Sequence, residues 1–257
     1  MRIGRRAGIA AVGLALVATG LARATLTEDE PKPPKADEGW IELTAGDGFD
    51  PWKGPIVGWS RTTGVAIDPS DAKHFAIEPG SGPVIVNGKA GRGKDLYTKA
   101  TFGDVEVHLE FNVPKGSNSG IKFQGLYEIQ ITDGWGIKEL SASHSGGIYP
   151  RAEFLPKYRH IDDGIPPRVN ASKPPGEWQT LDIAFKAPRF DASGKKVADA
   201  RIVRATLNGQ VVQEDEALKT PTGNAWKNPE VALGPIQLQA DHGPVAFRNV
   251  RVRPIAP

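Results

Sequence analysis

The residues best suited to chemistry lie between positions 116 and 133, where a turn rich in small residues leads into two short strands. The second strand reads Tyr-Glu-Ile-Gln-Ile from residue 127. Successive side chains of a strand point to opposite faces, so Glu128 and Gln130 share one face. A carboxylate that can take up a proton and an amide that can bind a hydroxyl are therefore expected side by side on a sheet.

A second polar pair lies near the C-terminus, where Gln237 and Gln239 alternate with apolar residues before the turn Asp241-His242-Gly243. Histidine ionises near neutral pH, so His242 can serve as an acid, a base or a metal ligand. We predict that Gln239 binds a ligand and that His242 takes part in chemistry. The two strands together indicate a sheet face that holds a polyhydroxylated ligand.

Loops and one further strand contribute the remaining candidates. Tyr149 can offer a hydroxyl to a negatively charged intermediate, and Trp135, between two glycines, can stack on a sugar ring. Glu110 belongs to a polar strand face that is either the outside of the fold or the ligand groove. Asp133 either caps a turn or is a groove-edge acid or metal ligand.

The elements that must position these side chains are short alternating runs separated by glycine and proline. In residues 104–113, five apolar side chains alternate with five polar ones, which indicates a strand. Asn208-Gly209 predicts a hairpin turn because both residues accept a positive φ. Further strands are predicted at residues 74–78, 84–87, 179–186, 201–207, 211–214, 235–239 and 245–252. About a dozen strands predict an all-β jelly roll of two packed antiparallel sheets.

The first 24 residues are predicted to be a secretory signal peptide. Three early arginines precede the apolar run 7–21, and Ala22-Arg23-Ala24 is a small-residue cleavage site. The run is shorter than the ~20 residues that a membrane span requires. We therefore predict an exported protein, periplasmic or secreted. Residues 25–39 are charged and proline-rich, typical of a flexible leader, and residues 40–257 are predicted to form one domain.

Charge and composition narrow the class of partner. Without the four arginines of the predicted signal peptide, 28 basic side chains face 30 acidic ones, so the net charge is −2 rather than +2. No basic patch with interleaved aromatic residues occurs, which argues against nucleic acid as a partner. The sequence contains no cysteine, which excludes disulfides, thiolate chemistry and a lipid-anchored lipoprotein cysteine.

Common metal and cofactor motifs are absent from the sequence. There is no His-Glu-x-x-His pair and no calcium-binding loop, and nothing suggests a nicotinamide site. We therefore predict no evident cofactor. A divalent cation held by Glu128, Asp133 or His242 stays open as an alternative.

Six motifs occur in an order that resembles the 3-keto-disaccharide hydrolase domain family, formerly a domain of unknown function. They begin at Gly116 (Gly-Ser-Asn-Ser-Gly-Ile), Tyr127 (Tyr-Glu-Ile-Gln-Ile), Gly146 (Gly-Gly-Ile-Tyr), Lys173 (Lys-Pro-Pro-Gly-Glu-Trp), Leu207 (Leu-Asn-Gly) and Gly234 (Gly-Pro-Ile-Gln-Leu-Gln, continuing to Pro254). The resemblance implies a concanavalin A-like jelly roll with a sugar-binding sheet. This sequence departs from the family pattern at Gln124, where arginine is common, and at Ala240.

The resemblance also implies activity on glycosides whose C3 hydroxyl has been oxidised to a ketone. The ketone acidifies the C2 proton, so a base can expel the C1 substituent, and water can then add. On this interpretation Glu128, His242 and Tyr149 are catalytic. The predicted substrate-binding residues are Glu110, Gln124, Gln130, Trp135 and Gln239. A separate sugar 3-dehydrogenase would make the ketone.

Two other functions stay open. A noncatalytic carbohydrate-binding module of the same fold would bind sugars without turnover. An adhesion or scaffold domain of the cell envelope would lack sugar affinity altogether.

Overall fold

The computed structural model describes residues 39–255. The predicted signal peptide and all but the last residue of the predicted leader lie outside this range. Within it, the chain forms eighteen strands and one short 3₁₀ helix, Asn224–Lys227. The strands are β1 (Ile41–Glu42), β2 (Ser60–Thr62), β3 (Val65–Asp68), β4 (Asp71–Ile77), β5 (Val84–Val86), β6 (Leu96–Tyr97), β7 (Val105–Asn112), β8 (Asn118–Phe123), β9 (Tyr127–Thr132), β10 (Ala152–Glu153), β11 (Arg159–His160), β12 (Gln179–Lys186), β13 (Arg189–Phe190), β14 (Lys196–Ala198), β15 (Ala200–Leu207), β16 (Gln210–Leu218), β17 (Gln237–Leu238) and β18 (Ala246–Pro254).

Two antiparallel sheets form the body of the fold. The larger has the order β16-β15-β12-β7-β18-β5-β2, with β1 also paired to β18, and the smaller has the order β6-β17-β8-β9. Three two-stranded hairpins, β3–β4, β10–β11 and β13–β14, complete the described part of the chain. The prediction of an all-β jelly roll built from two antiparallel sheets is confirmed.

The core lies where the apolar faces of the two sheets meet. Leu109 and Phe111 of β7 and Ile121 of β8 are fully buried. Phe185 of β12 stacks on Phe123 of β8 with ring centroids 4.6 Å apart, which joins the larger sheet to the smaller. Offset aromatic stacking adds to the gain from burying apolar area, so this contact helps to fix how the sheets pack.

The polar face of β7 is the outer surface of the larger sheet. Glu106 pairs with Arg253 and Glu110 with Arg248, while His108 contacts Asp182 on β12. The apolar face of β7 must cover the core, so its polar face points away from the smaller sheet. Of the two alternatives for this face, outside or groove, the structure shows the outside.

Most predicted strands match observed ones. The predicted 179–186 strand coincides with β12, and the Asn208-Gly209 turn joins β15 to β16 with φ angles of 51° and 79°. The strand predicted at 235–239 shortens to Gln237–Leu238. The long connection after β9, which periodicity did not resolve, contains the β10–β11 hairpin.

Candidate active site

A cavity of about 430 Å³ lies against the face of the smaller sheet that points away from the core. Its floor comes from β8, β9 and the end of β17, and its wall comes from the β10–β11 hairpin and the 3₁₀ helix. The lining residues are Asn118, Lys122, Glu128, Gln130, Tyr149, Ala152, Phe154, Tyr158, Gly223, Asn224, Gln239 and His242.

Glu128 and Lys122 form an ion pair on the cavity floor. Strands β8 and β9 are joined by a three-residue turn, and their register places Lys122 directly opposite Glu128. The Lys122 Nζ lies 3.2 Å from Glu128 Oε2, and only 4% of the Glu128 side chain is exposed. The hairpin register therefore brings a cation and a carboxylate together at the ligand face.

Burial raises the pKa of the Glu128 carboxyl, while the charge and hydrogen bond of Lys122 act in the opposite direction. A carboxylate with a raised pKa is a stronger base than an exposed glutamate. Gly120 on β8 leaves room for the Glu128 carboxylate, because a Cβ atom at that position would lie 2.5 Å from Glu128 Oε1. The site thus holds a desolvated carboxylate in one position.

Three amides surround this pair on the floor. Gln130 donates to Asn118 Oδ1 across 2.8 Å, and Gln239 Nε2 lies 3.3 Å from His242 Nδ1. In the described part of the chain, Gln130 Oε1 and Gln239 Oε1 are buried without a hydrogen-bond partner. Both amide side chains also line the cavity, where amide groups can donate to and accept from hydroxyl groups of a ligand.

His242 lies at the rim of the cavity. Its Nδ1 is 2.5 Å from Asp241 Oδ1, and its side chain is 55% exposed. The turn after β17 therefore places an imidazole beside the amide of Gln239. His242 can reach a ligand bound on the floor while staying in exchange with solvent.

Tyr149 lies beside Glu128, since its backbone N–H donates to the Glu128 carbonyl across 3.2 Å. Its hydroxyl is 2.5 Å from that of Tyr158, which lies 2.9 Å from His160 Nε2. Burial, reinforced by the hydrogen bond with Tyr158, raises the pKa of Tyr149. Tyr149 therefore stays protonated at neutral pH and acts as a hydrogen-bond donor or an acid rather than as a base.

The structure brings five predicted site residues to one cavity: Glu128, Gln130, Tyr149, Gln239 and His242. It places Glu110 elsewhere, on the outer face of the larger sheet, where it pairs with Arg248 and accepts from Asn249. Glu110 therefore does not border the cavity, because β7 lies in the larger sheet, whose inner face is filled by the core.

Gln124 and Trp135 also lie away from the cavity lining. Gln124 occupies the β8–β9 turn with φ 58°, and its amide donates to the Ala232 carbonyl. Trp135 lies in the loop after β9 with 57% of its surface exposed. The turn directs Gln124 towards a neighbouring loop, and the Trp135 loop leaves the sheet beyond the cavity. Neither side chain is positioned as predicted.

Asp133 caps turns. Its carboxylate accepts from the backbone N–H groups of Gly116 and Trp135, which is the turn alternative considered for it. Among residues 39–255, no group of three histidine or acidic side chains is arranged to hold a metal ion.

Sequence reasoning missed seven lining residues: Asn118, Lys122, Ala152, Phe154, Tyr158, Gly223 and Asn224. For Lys122 a signal existed. Lys122 and Glu128 stand three residues on either side of Gly125, the centre of the hairpin turn, so simple hairpin symmetry pairs them. The hairpin that carries Phe154 and Tyr158 offered no such signal because its strands contain two residues each.

No helix in residues 39–255 is long and apolar enough to cross a membrane. Among curated proteins, no match to the chain is found.

Solved structures share the fold. One candidate glycosyl hydrolase from Parabacteroides distasonis ATCC 8503 is 25% identical, with 93% of this chain and 100% of that chain covered and a TM-score of 0.61. Two other candidate glycosyl hydrolases from the same organism have 19% and 16% identity, both with TM-scores of 0.54. Their alignments cover 84% and 85% of this chain and 99% and 95% of theirs, which shows a common fold.

The family model described as a 3-keto-alpha-glucoside-1,2-lyase-like domain matches residues 39–253. That span includes all but the last residue of the two sheets and every residue of the cavity. It confirms the resemblance inferred from the six motifs. The chain therefore belongs to the family of 3-keto-alpha-glucoside-1,2-lyase-like domains.

Proposed function

We propose that the protein is a carbohydrate-active enzyme that cleaves the C1–O bond of 3-keto-glycosides by elimination, with Glu128 as the base. The family membership and the 25% identity to a candidate glycosyl hydrolase support action on carbohydrate. One observation carries the choice of chemistry: a buried carboxylate of raised pKa is paired with a lysine at the floor of a cavity lined by three amide side chains.

The amides support a sugar as the ligand. Gln130 and Gln239 line the cavity, and an amide group can donate to and accept from ring hydroxyls. Asn118 lies beside them. A floor of amides favours a polyhydroxylated ligand over an apolar one, because covering an amide group without giving it a hydrogen-bond partner costs free energy.

The reaction proceeds in two steps. Glu128 removes the proton from C2, and the electron pair moves through C3 to the ketone oxygen, which gives an enolate. The enolate electrons then return to form the C1–C2 double bond as the C1–O bond breaks, and the leaving oxygen takes up a proton. Addition of water across the new double bond would complete a net hydrolysis.

The neighbouring groups have matching tasks. Lys122 lies beside Glu128, so its positive charge can stabilise the enolate that develops when Glu128 takes the C2 proton. Tyr149 keeps its proton at neutral pH and can deliver it to the leaving oxygen. His242, at the rim, can bind the sugar or exchange a proton with solvent.

Direct hydrolysis by two carboxylates is the competing mechanism. It requires a second acidic side chain across the scissile bond, about 5–9.5 Å from the first. Among the described residues that line the cavity, Glu128 supplies the one carboxyl group. Elimination needs a single base and therefore fits this lining better.

The test of function uses the chain without residues 1–24 and a 3-keto-glucoside that carries a chromogenic leaving group. We expect release of that group, a primary isotope effect when C2 carries deuterium, and no release from the unoxidised glucoside. Parallel assays with and without chelator would show whether a divalent cation takes part. Sugar binding without release from any 3-keto-glucoside would favour a binding module, and absence of sugar affinity would favour an adhesion or scaffold domain.

Two further proposals accompany this function. A separate sugar 3-dehydrogenase supplies the ketone, because the elimination requires a substrate that is already oxidised at C3. Export through the predicted signal peptide would place both steps outside the cytoplasm, and N-terminal sequencing of the exported protein would test cleavage after Ala24.

Lys122→Met is predicted to move the acidic limb of the pH–rate profile to higher pH. Lys122 opposes the effect of burial on the Glu128 pKa, so its loss raises that pKa further. The base must be ionised, so activity would rise only at higher pH. The measurement is kcat/KM from pH 4 to 9, with Lys138→Met, an exposed loop lysine, as control. An acidic limb that stays in place would show that Glu128 is not the titrating base.

A further inference from the structure

The β10–β11 hairpin, residues 152–160, presents apolar side chains to solvent. We call it the aromatic hairpin. Phe154 is 57% exposed, Leu155 82% and Tyr158 45%. Phe154 and Tyr158 also line the cavity, and their ring centroids are 5.6 Å apart. Exposed apolar clusters beside a cavity commonly mark a binding surface.

The base of the aromatic hairpin contacts the 3₁₀ helix and the segment that precedes it. Glu153 forms ion pairs with Arg159 across the hairpin and with Lys227 of the 3₁₀ helix, at 2.8 and 3.0 Å. The Ala152 N–H donates to the Gly223 carbonyl. These contacts hold the aromatic hairpin beside the 3₁₀ helix at the cavity wall.

The cavity is divided chemically. Its floor carries the amides Asn118, Gln130 and Gln239, whereas its wall carries Phe154 and Tyr158. Glu128 lies on the floor and borders the wall. The Tyr149 N–H donates to the Glu128 carbonyl, and a Cβ atom at Gly223 would contact the side chains of Glu128 and Tyr149. A ligand that spans both regions has a hydroxylated part on the amides and an apolar part on the aromatic rings.

We propose that the aromatic hairpin is the leaving-group subsite and that it selects 3-keto-glycosides whose leaving group carries an aromatic ring. This inference rests on the proposed function, which places the sugar ring over Glu128. The leaving oxygen then lies near the Tyr149 hydroxyl, itself 2.5 Å from that of Tyr158 in the hairpin. The group attached to that oxygen extends onto Phe154 and Tyr158.

A neighbouring cavity of about 590 Å³ has the opposite character. Lys53, Lys94, Asp95 and Asp241 place charges along it beside Tyr97. Desolvating such charges against an aromatic ring is unfavourable. An aromatic leaving group is therefore better accommodated by the hairpin than by this second cavity.

The test measures affinity without chemistry, in the Glu128→Gln protein, for phenyl and methyl 3-keto-glucosides by calorimetry. We expect the phenyl compound to bind more tightly. Adding Phe154→Ala should weaken phenyl binding about tenfold and leave methyl binding unchanged, whereas Phe154→Trp should retain the preference. Val197→Ala, an exposed apolar residue of the β13–β14 hairpin, is the matched control.

Equal affinities for the two compounds, or an equal loss of both in Phe154→Ala, would overturn the subsite. So would concentration-dependent self-association, seen by sedimentation, that Phe154→Ala abolishes while phenyl binding persists, because the hairpin would then contact a second copy of the chain. Failure of the proposed function is recognised separately: the unmodified protein would turn over no 3-keto-glucoside, whatever its leaving group.

Discussion

Glu128→Gln is expected to lower kcat/KM for a 3-keto-glucoside by about 10³-fold, within the range of roughly 10²–10⁴-fold that a positioned general base contributes. Glutamine keeps the shape and the hydrogen-bonding capacity of the side chain but cannot accept the C2 proton. Affinity for the substrate should therefore persist within severalfold. Steady-state kinetics and calorimetry together separate the loss of chemistry from a loss of binding.

Glu42→Gln is the matched control, since Glu42 is an exposed strand glutamate outside the cavity lining. It should leave kcat/KM unchanged. Retention of most activity by Glu128→Gln would remove the base from its proposed role. Loss of sugar affinity together with activity would instead assign Glu128 to binding.

Glu128→Gln should also change how the free energy of unfolding depends on pH. Burial raises the folded-state pKa of Glu128 above its unfolded value of about 4.3. Between the two pKa values the folded state binds more protons than the unfolded state, so this residue makes the free energy of unfolding fall as pH rises. Glu128→Gln removes that contribution. The difference in free energy of unfolding between the Glu128→Gln protein and the unsubstituted protein should therefore shift in favour of the variant from pH 4 to pH 8. Urea unfolding at both pH values measures it.

Gly120→Ala is expected to lower kcat/KM by about 10²-fold while the fold persists, because misplacing a catalytic group by about 1 Å has an effect of that size. A methyl group at this position would lie 2.5 Å from Glu128 Oε1, so the carboxylate must move. Gly120 is not among the residues with positive φ, so alanine can adopt its backbone conformation.

Gly48→Ala controls for the added methyl group, because the atom nearest to a Cβ there lies at 3.7 Å and the φ is ordinary. It should leave kcat/KM and the circular dichroism spectrum unchanged. Full activity of Gly120→Ala, with an unchanged spectrum, would mean that the position of Glu128 is not critical for the reaction.

The regular strands could be predicted because their side chains alternate without interruption. β7 and β12 each bury every second residue against the core. Asn208-Gly209 likewise identified its own turn. Prediction failed for β10 and β11, whose two-residue strands are held by partners distant in sequence, such as Gly223 and Lys227. Local periodicity carries no information about such contacts.

The candidate site was predicted in part for the same reason. Glu128 and Gln130 belong to one strand, so alternation alone placed them on one face. Glu110 satisfied the same alternation but lies on the other sheet, and alternation cannot tell which polar face borders a cavity. The matching polar pattern of Gln237 and Gln239 suggested that this strand and its turn at His242 share the sheet face with Glu128, and the β17–β8 pairing shows the two strands in one sheet.

The sequence by itself determined the class of fold, the strand faces and the family, because these follow from local alternation, turn residues and ordered motifs. Only the tertiary structure decided which polar face meets a ligand, that Lys122 and Glu128 form a buried pair, and that Phe154 and Tyr158 stand at the wall. The physical reason is that groups from several strands and loops together bury Glu128, and this burial raises the pKa of its carboxyl group. Desolvation is a property of the packed chain, and no single segment contains it.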